Sequence, residues 1–399
     1  MKKLFNYSFF LFLDKGLAFI LPLSILYLTK DEGLYVNLEA ALAFSIILIP
    51  LLDMGIKYYV GYMYTRKGND CFEQFDLLSL QVIIANLIIA VPLYFYSDFL
   101  FIYVMAILRT LHINLFQYVQ IKGRLTEKLI TPLIISIIAS VISILLAIGL
   151  FYLGVSNNTV LLGYFILPPS IFLLYHLSQY KPDSSTLLKV NFSDPFYYSM
   201  LKFSIPVIMN SLLVVGFANL TKIYVLNSFG QTEMVKYSFD FRVAMGIQLI
   251  HMAVVGYLTK FFLISHDFVK MIKIYFYYIG SLVGCAIFTL LIIHFFGALI
   301  DPKLLVVDSL ILIIFGYVIL WCFSAFFDVL YMRMNKTSLV LINSTVFFSS
   351  YVLFYFFHGI ASSVDAALGL FFSAGMMLAS NIFLIFYNFK YLKVSEVND

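Results

Sequence analysis

The sequence predicts an all-α, polytopic membrane protein of twelve transmembrane helices, arranged as two six-helix lobes. Three observations predict it. The 399 residues are 62% hydrophobic and only 12% charged, with a mean hydropathy of +0.98, whereas a globular domain is about 25% charged. The apolar runs reach the roughly 20 residues that cross a bilayer as a helix. Lys and Arg fall in every second loop, as cytoplasmic loops require.

In order, the spans have cores at Leu4–Leu28, Leu38–Tyr62, Phe75–Phe95, Phe99–Ile121, Leu129–Leu153 and Val160–Leu177. They continue at Met200–Leu226, Tyr237–Leu258, Ile272–Phe296, Leu304–Leu330, Leu339–Phe357 and Ala366–Tyr387. These runs are far longer than the roughly 10-residue alternating strands of a membrane barrel. The first run follows Lys2 and Lys3 as a signal peptide would. Asp14 and Lys15 interrupt it and no small-x-small site follows, so it reads as a retained helix.

One set of loops holds Arg66, Lys67, Lys122, Arg124, Lys128, Lys181, Lys189, Lys270, Arg333 and Lys336, among others. The alternate set holds only Lys30, Lys236 and Lys303. This places both termini in the cytoplasm. The longest loop divides the chain into an N-terminal lobe at 1–180, a cytoplasmic linker at 181–199 and a C-terminal lobe at 200–399. Each half has an even number of helices, so the halves run parallel, the arrangement in which two bundles rock about a central site.

The net charge of +4 is small, and the charges sit in short loops, which excludes nucleic acid as a partner. Cys71, Cys285 and Cys322 are far apart, so neither a disulfide framework nor a zinc site is expected. No Gly-rich phosphate loop is present, which argues against ATP, and no large external loop or soluble catalytic domain suggests an enzyme.

Charge inside an apolar span is expensive and points to function. The first helix holds Asp14 and Lys15 near mid-depth. Asp14 points about 100° away from Lys15 and so needs another partner. In the second helix Glu39, Ala43, Pro50, Asp53 and Lys57 form one stripe, and Asp53 and Lys57, four apart, can pair. Glu39 lies near the outer surface, where it could be simply solvated. On the fourth helix, Arg109, His112, Gln117 and Gln120 lie within about 80°. That face suits an anionic or sugar-bearing ligand, or else an interhelical hydrogen-bond seam. Pro206 and Lys222 mark the seventh helix, where Lys222 either faces a lumen or snorkels outward. On the eighth, Asp240, Gln248 and His251 share a side, with Arg242 roughly opposite. The tenth groups Tyr317, Trp321, Ser324 and Asp328. Gly280-x-x-x-Gly284 suggests close helix packing.

Several short runs resemble one family. Leu201-Lys202-Phe203-Ser204-Ile205-Pro206 is similar to the opening of the second half of polysaccharide-type exporters. Thr221-Lys222-Ile223-Tyr224-Val225-Leu226 through Gly230 resembles their acid-base-led run, and Val235-Lys236-Tyr237-Ser238 their Gly-x-Tyr-Ser. Leu52-Asp53-Met54-Gly55 and His358-Gly359-Ile360 with Asp365-Ala366-Ala367 resemble two further motifs. The resemblance is to O-antigen and oligosaccharide-lipid flippases of the multidrug/oligosaccharidyl-lipid/polysaccharide superfamily, and it covers essentially the whole chain. Thr221 and Lys236 depart from it, standing where the family has an acid and a Gly.

The resemblance implies a V-shaped central cavity and translocation of an undecaprenyl-pyrophosphate-linked oligosaccharide across the bacterial inner membrane, by ion-coupled alternating access. It implies no cofactor beyond a coupled H+ or Na+. The partners would be the polyprenyl-pyrophosphate-linked oligosaccharide, the lipid bilayer and polysaccharide polymerase machinery. Lys15, Arg109, His112, Gln117, Lys222 and Arg242 are the candidates for substrate binding. Asp14, Glu39, Asp53 and Asp240 are the candidates for ion coupling. The rival readings are a multidrug exporter of the same superfamily, which would favour an acidic lumen, and a membrane polysaccharide polymerase or glycosyltransferase.

Overall fold

The computed structural model describes residues 2–53, 55–96, 101–126, 128, 130–180, 195–264, 268–300, 303–333 and 338–394. Among them the chain is helical almost throughout. The helices are α1 Lys2–Thr29, α2 Glu32–Leu52, α3 Ile56–Lys67, α4 Phe72–Tyr96, α5 Phe101–Leu125, α6 Thr131–Tyr152 and α7 Asn157–Gln179. They continue as α8 Pro195–Ser211, α9 Phe217–Phe229, α10 Gln231–Ile264, α11 Phe268–Ile300, α12 Ser309–Arg333, α13 Ser338–His358 and α14 Ser363–Val394. Taking α2 with α3, and α8 with α9, the described helices match the twelve expected spans. Among the described residues ten helices are long and apolar enough to cross a membrane, or up to eleven counting a bent α1. Large apolar side chains such as Ile88, Leu145, Leu174, Phe276 and Phe386 stand exposed on their outer faces. A water-soluble protein would bury such a surface, so this is a multi-pass membrane protein.

Three spans are broken, the first at a proline and the second at a glycine. In α1 the halves Phe9–Ala18 and Pro22–Thr29 meet at 45°. Pro22 has no N–H for the Ala18 carbonyl, the usual origin of such a bend. The second span was expected to run unbroken from Leu38 to Tyr62. It stops instead at Leu52 and restarts at Ile56. Gly55 sits at φ +82°, and a Cβ on it would lie 2.1 Å from the Ser204 Cβ. Only glycine fits there, and Ser204 Oγ donates to the Gly55 carbonyl at 3.3 Å. Asp53 therefore caps α2 instead of sharing a continuous helical face with Lys57, whose side chain lies outside the described residues. The seventh span, expected as one α-helix from Met200, begins at Pro195 and carries a π-helical segment at Leu212–Gly216.

The chain divides into two compact units, Met1–Leu220 and Thr221–Asp399. The boundary between these packing units falls inside α9. The reason is that α8 packs on α3 and α2 inside the first unit, beginning at the Gly55–Ser204 contact. The first unit has two cores. One gathers Leu34, Leu38 and Ala41 of α2 with Met105 and Leu111 of α5 and Phe165 and Phe172 of α7. The other gathers Val60, Phe75, Tyr118 and Met200 with Cys71. Cys71 is fully buried in the 3-10 turn Gly68–Cys71. In the second unit α12 packs on α14 and α10, and α13 on α14. Among the described residues nothing comes within 4 Å of a Cβ built at Gly280 or Gly284. The expected close packing at these glycines is therefore not seen among the described residues.

Candidate functional site

The first unit contains Asp14, Lys15, Glu39, Asp53, Arg109, His112 and Gln117. On α5 the Arg109 Nη1 donates to His112 Nδ1 at 2.8 Å. A guanidinium only donates, so Nδ1 accepts and the ring proton resides on Nε2. Nε2 has no hydrogen-bond partner among the described residues, although the ring is buried. The ring centroid lies 5.4 Å from that of Phe172. Arg109 and His112 line a small pocket with Ser140 and Ser143 of α6 and with Tyr164 and Pro168 of α7. Pro168 has no N–H to give the Tyr164 carbonyl, which leaves an acceptor on that wall. Further along α5, Gln117 Oε1 and Gln120 Nε2 are also buried without partners among the described residues.

Asp14 was expected to need a partner other than its neighbour. The structure pairs the two: Lys15 Nζ lies 3.1 Å from Asp14 Oδ2, with Asp14 only 5% exposed. Long side chains converge even when their Cβ atoms diverge. The same Nζ stands 4.9 Å over the Phe116 ring, a cation–π contact. The mid-depth cation on α1 is thus already matched by an acid. Glu39, which the sequence also allowed to be a solvated surface acid, is fully buried, as is Asp53.

One buried cluster escaped the sequence reading. Asp76 of α4 accepts from Tyr118 OH at 2.6 Å and from Lys122 Nζ at 2.5 Å. Ser79 donates to the Asp76 carbonyl at 2.8 Å, so His176 Nε2, 3.0 Å from Ser79 Oγ, must be the donor of that pair. The signal was available: Tyr118 and Lys122 are four apart on α5, and Asp76 opens the facing span.

The second unit treats its charges differently. Lys222 is 6% exposed, so within this chain it does not snorkel to the surface, and its Nζ sits 4.8 Å over the Phe241 ring. Thr221, standing where the resembled family has an acid, shares a 3.0 Å hydrogen bond with Tyr237 OH. Lys236, standing where that family has a Gly, donates to Asp240 Oδ1 at 3.0 Å and lies 3.3 Å from Asp308 Oδ2. Asp240 is fully buried and its Oδ2 has no partner among the described residues. Asp240 and His251 share no cluster. The His251 Nδ1 bonds Tyr278 OH, which in turn donates to the Cys322 carbonyl at 3.1 Å. Arg242 is half-buried on α10.

No protein-family model matches the chain, and no curated protein matches it. Solved structures do. An outward-facing multidrug resistance MATE family transporter of the MOP superfamily superposes with a TM-score of 0.62 at 12% identity, covering 98% of this chain and 96% of that one. A MATE structure in complex with MaL6 gives a TM-score of 0.62 at 11% identity with the same coverage. A mutant of the Vibrio cholerae MATE transporter VcmN gives 0.55 at 12% identity, covering 98% of both chains. At such identity the likeness speaks for architecture and not for substrate: the chain has the fold of the MATE transporters of the MOP superfamily.

Proposed function

We propose that this protein is an ion-coupled exporter that moves an amphipathic small molecule across a membrane by alternating access. The carrying observation is the MATE fold over 98% of the chain, shared with a structure described as a multidrug resistance transporter. The buried charges fit this reading better than the sequence suggested. Lys15 is matched by Asp14, and Glu39, Asp53 and Asp240 are buried acids. Such a chain carries H+ or Na+ on its acids and takes no cofactor. The test is efflux of a cationic dye such as ethidium from cells that express the protein in a strain stripped of its own exporters. Gradient-dependent efflux that stops when the ion gradient is collapsed is the expected result. Retention of the dye at the level of the empty strain, for every amphipathic probe tried, would overturn this reading.

A second reading is favoured by one feature, the donor-rich pocket of Arg109, His112, Ser140 and Ser143. Guanidinium, imidazole N–H and hydroxyls suit a pyrophosphate or sugar. On this reading the chain flips a polyprenyl-pyrophosphate-linked oligosaccharide in a bacterial inner membrane, with both termini cytoplasmic, and feeds a polysaccharide polymerase. Gln117 would bond its hydroxyls, and Lys222 and Arg242 are the second unit's own candidates for binding such a ligand. A deletion strain separates the readings. Complete single repeat units held at the cytoplasmic face, with surface glycan lost, select the flippase. Intact glycan with raised dye sensitivity selects the small-molecule exporter. In the flippase case Arg109→Ala is expected to lower surface glycan at least tenfold while the protein still reaches the membrane.

A further inference from the structure

Inside the second unit, the short connection that leads into α12 is fastened at three points. It runs as turn and coil from Lys303 to Asp308. Lys236 Nζ of α10 donates to the Leu304 carbonyl at 3.0 Å. The same Nζ lies 3.3 Å from Asp308 Oδ2. Asp308 Oδ1 in turn accepts from the Ile311 N–H at 3.0 Å and so caps α12. The Leu305 backbone presses on α11, where a Cβ built on Gly297 would collide with the Leu305 carbonyl oxygen. Only glycine admits so close an approach.

Asp240 adjoins this connection. It is fully buried, and its Oδ1 accepts from Lys236 Nζ at 3.0 Å. An ammonium has three N–H groups, and Lys236 faces three oxygens: one on the buried acid and two on the connection. Lys236 stands where the resembled run has Gly, so this fastening belongs to this chain. We propose that Lys303–Asp308 is a strap that shuts water away from Asp240, with Lys236 as its pin. Two opposed effects leave the strap poised. Asp240 Oδ2 is buried with no partner among the described residues, and keeping such an oxygen from water is costly. The bonds of the Lys236 ammonium are charge-assisted and hold the strap down against that cost. Lifting it breaks the contacts to Leu304 and Asp308 but lets water reach Asp240 Oδ2.

This inference goes beyond the transport readings, and its test needs no transport. Purified full-length protein in detergent is treated with a water-soluble carbodiimide and glycine ethyl ester, and the labelled carboxyls are read by mass spectrometry. In the wild type Asp308, whose side chain is 38% exposed, is expected to label at least tenfold faster than Asp240. Lys236→Gly removes the pin and should speed the labelling of Asp240 at least tenfold. That variant also changes the charge beside the carboxyl, so a second one is needed. Gly297→Val pushes the strap off at Leu305 while Lys236 stays in place, and it should speed Asp240 as well. A cooperative melting curve for each variant, with the buried Asp76 of the first unit still protected, separates lifting of the strap from loss of fold. Asp240 labelling as fast as Asp308 in the wild type overturns the inference. So does an Asp240 rate left unchanged by Gly297→Val, because the effect of Lys236→Gly would then be one of charge and not of access.

Discussion

Two buried polar regions differ in how far their hydrogen bonds are completed. In the second unit, α12, α13 and α14 meet at Tyr331, Asn343, Ser380 and Asn381. Asn343 Nδ2 donates to Tyr331 OH at 3.2 Å and to Asn381 Oδ1, Tyr331 OH bonds Asn381 Oδ1 at 2.9 Å, and Ser380 donates to Asn343 Oδ1 at 2.7 Å. None of these atoms lacks a partner. On α5 of the first unit, His112 Nε2, Asn114 Oδ1, Gln117 Oε1 and Gln120 Nε2 are buried and have no partner among the described residues. A completed polar network fixes a unique packing, and an incomplete one is costly unless something else completes it. The contrast supports a structural role for the first region and, under the proposed transport function, ligand binding at the second.

The largest expected effect falls on the completed region. Asn343→Leu leaves Ser380 without its acceptor and takes one donor from Asn381 Oδ1, which keeps Tyr331 OH, and should cost about 2–4 kcal/mol, from one unmet hydroxyl at roughly 1–3 and one lost hydrogen bond at about 1. Thermal unfolding in detergent measures it. Export by the molecules that remain folded should be unchanged. A variant as stable as the wild type would mean that the network is not closed after all.

Next comes Tyr118→Phe, which takes one donor from Asp76 while Lys122 remains. Its expected cost is about 1.5–2 kcal/mol, at the low end for a hydrogen bond to a charged group. The same melting experiment decides it. A loss equal to that of Asn343→Leu would put the Asp76 cluster among the structural networks.

How much of this was legible in the sequence follows from which forces act locally. Helix number and span lengths are set by hydropathy and by Pro and Gly, all visible along the chain. The break at Gly55 was not foreseen, because its cause is the approach of Ser204, 149 residues away. The same holds for charge. Lys236 and Asp240 are four apart, so their pairing was open to view, yet Lys236 was read only as a loop cation. The wheel placed Arg109, His112, Gln117 and Gln120 on one face but could not tell which would find partners, since that depends on α6 and α7. Asp14–Lys15 failed for a different reason: the wheel describes Cβ directions, and long side chains bend past them.

Asp31→Ala gives a smaller, purely local effect. Asp31 caps α2, accepting from the Leu34 N–H at 2.8 Å, and its Oδ2 accepts from Asn157 at 3.0 Å. Loss of an N-cap costs typically about 1 kcal/mol. Asp31→Asn should recover most of the loss in a melting experiment. If it recovers none, the bond from Asn157 and not the cap carries the effect.

The smallest shift in stability tests the comparison hardest, because its sign is opposite to the others. Gln120 is 8% exposed and its Nε2 has no partner among the described residues. Replacing a buried, unmet polar group by an apolar one of similar volume removes a desolvation penalty and opens little cavity. Gln120→Leu should therefore melt at or slightly above the wild-type temperature, within about 1 kcal/mol on the stabilising side, while its export rate falls. Stability kept and function lost is the mark of a group held unsatisfied for a ligand. A loss of more than about 1 kcal/mol, with export per folded molecule intact, would show that Gln120 belongs to a completed network like that of Asn343, and the contrast between the two regions would disappear.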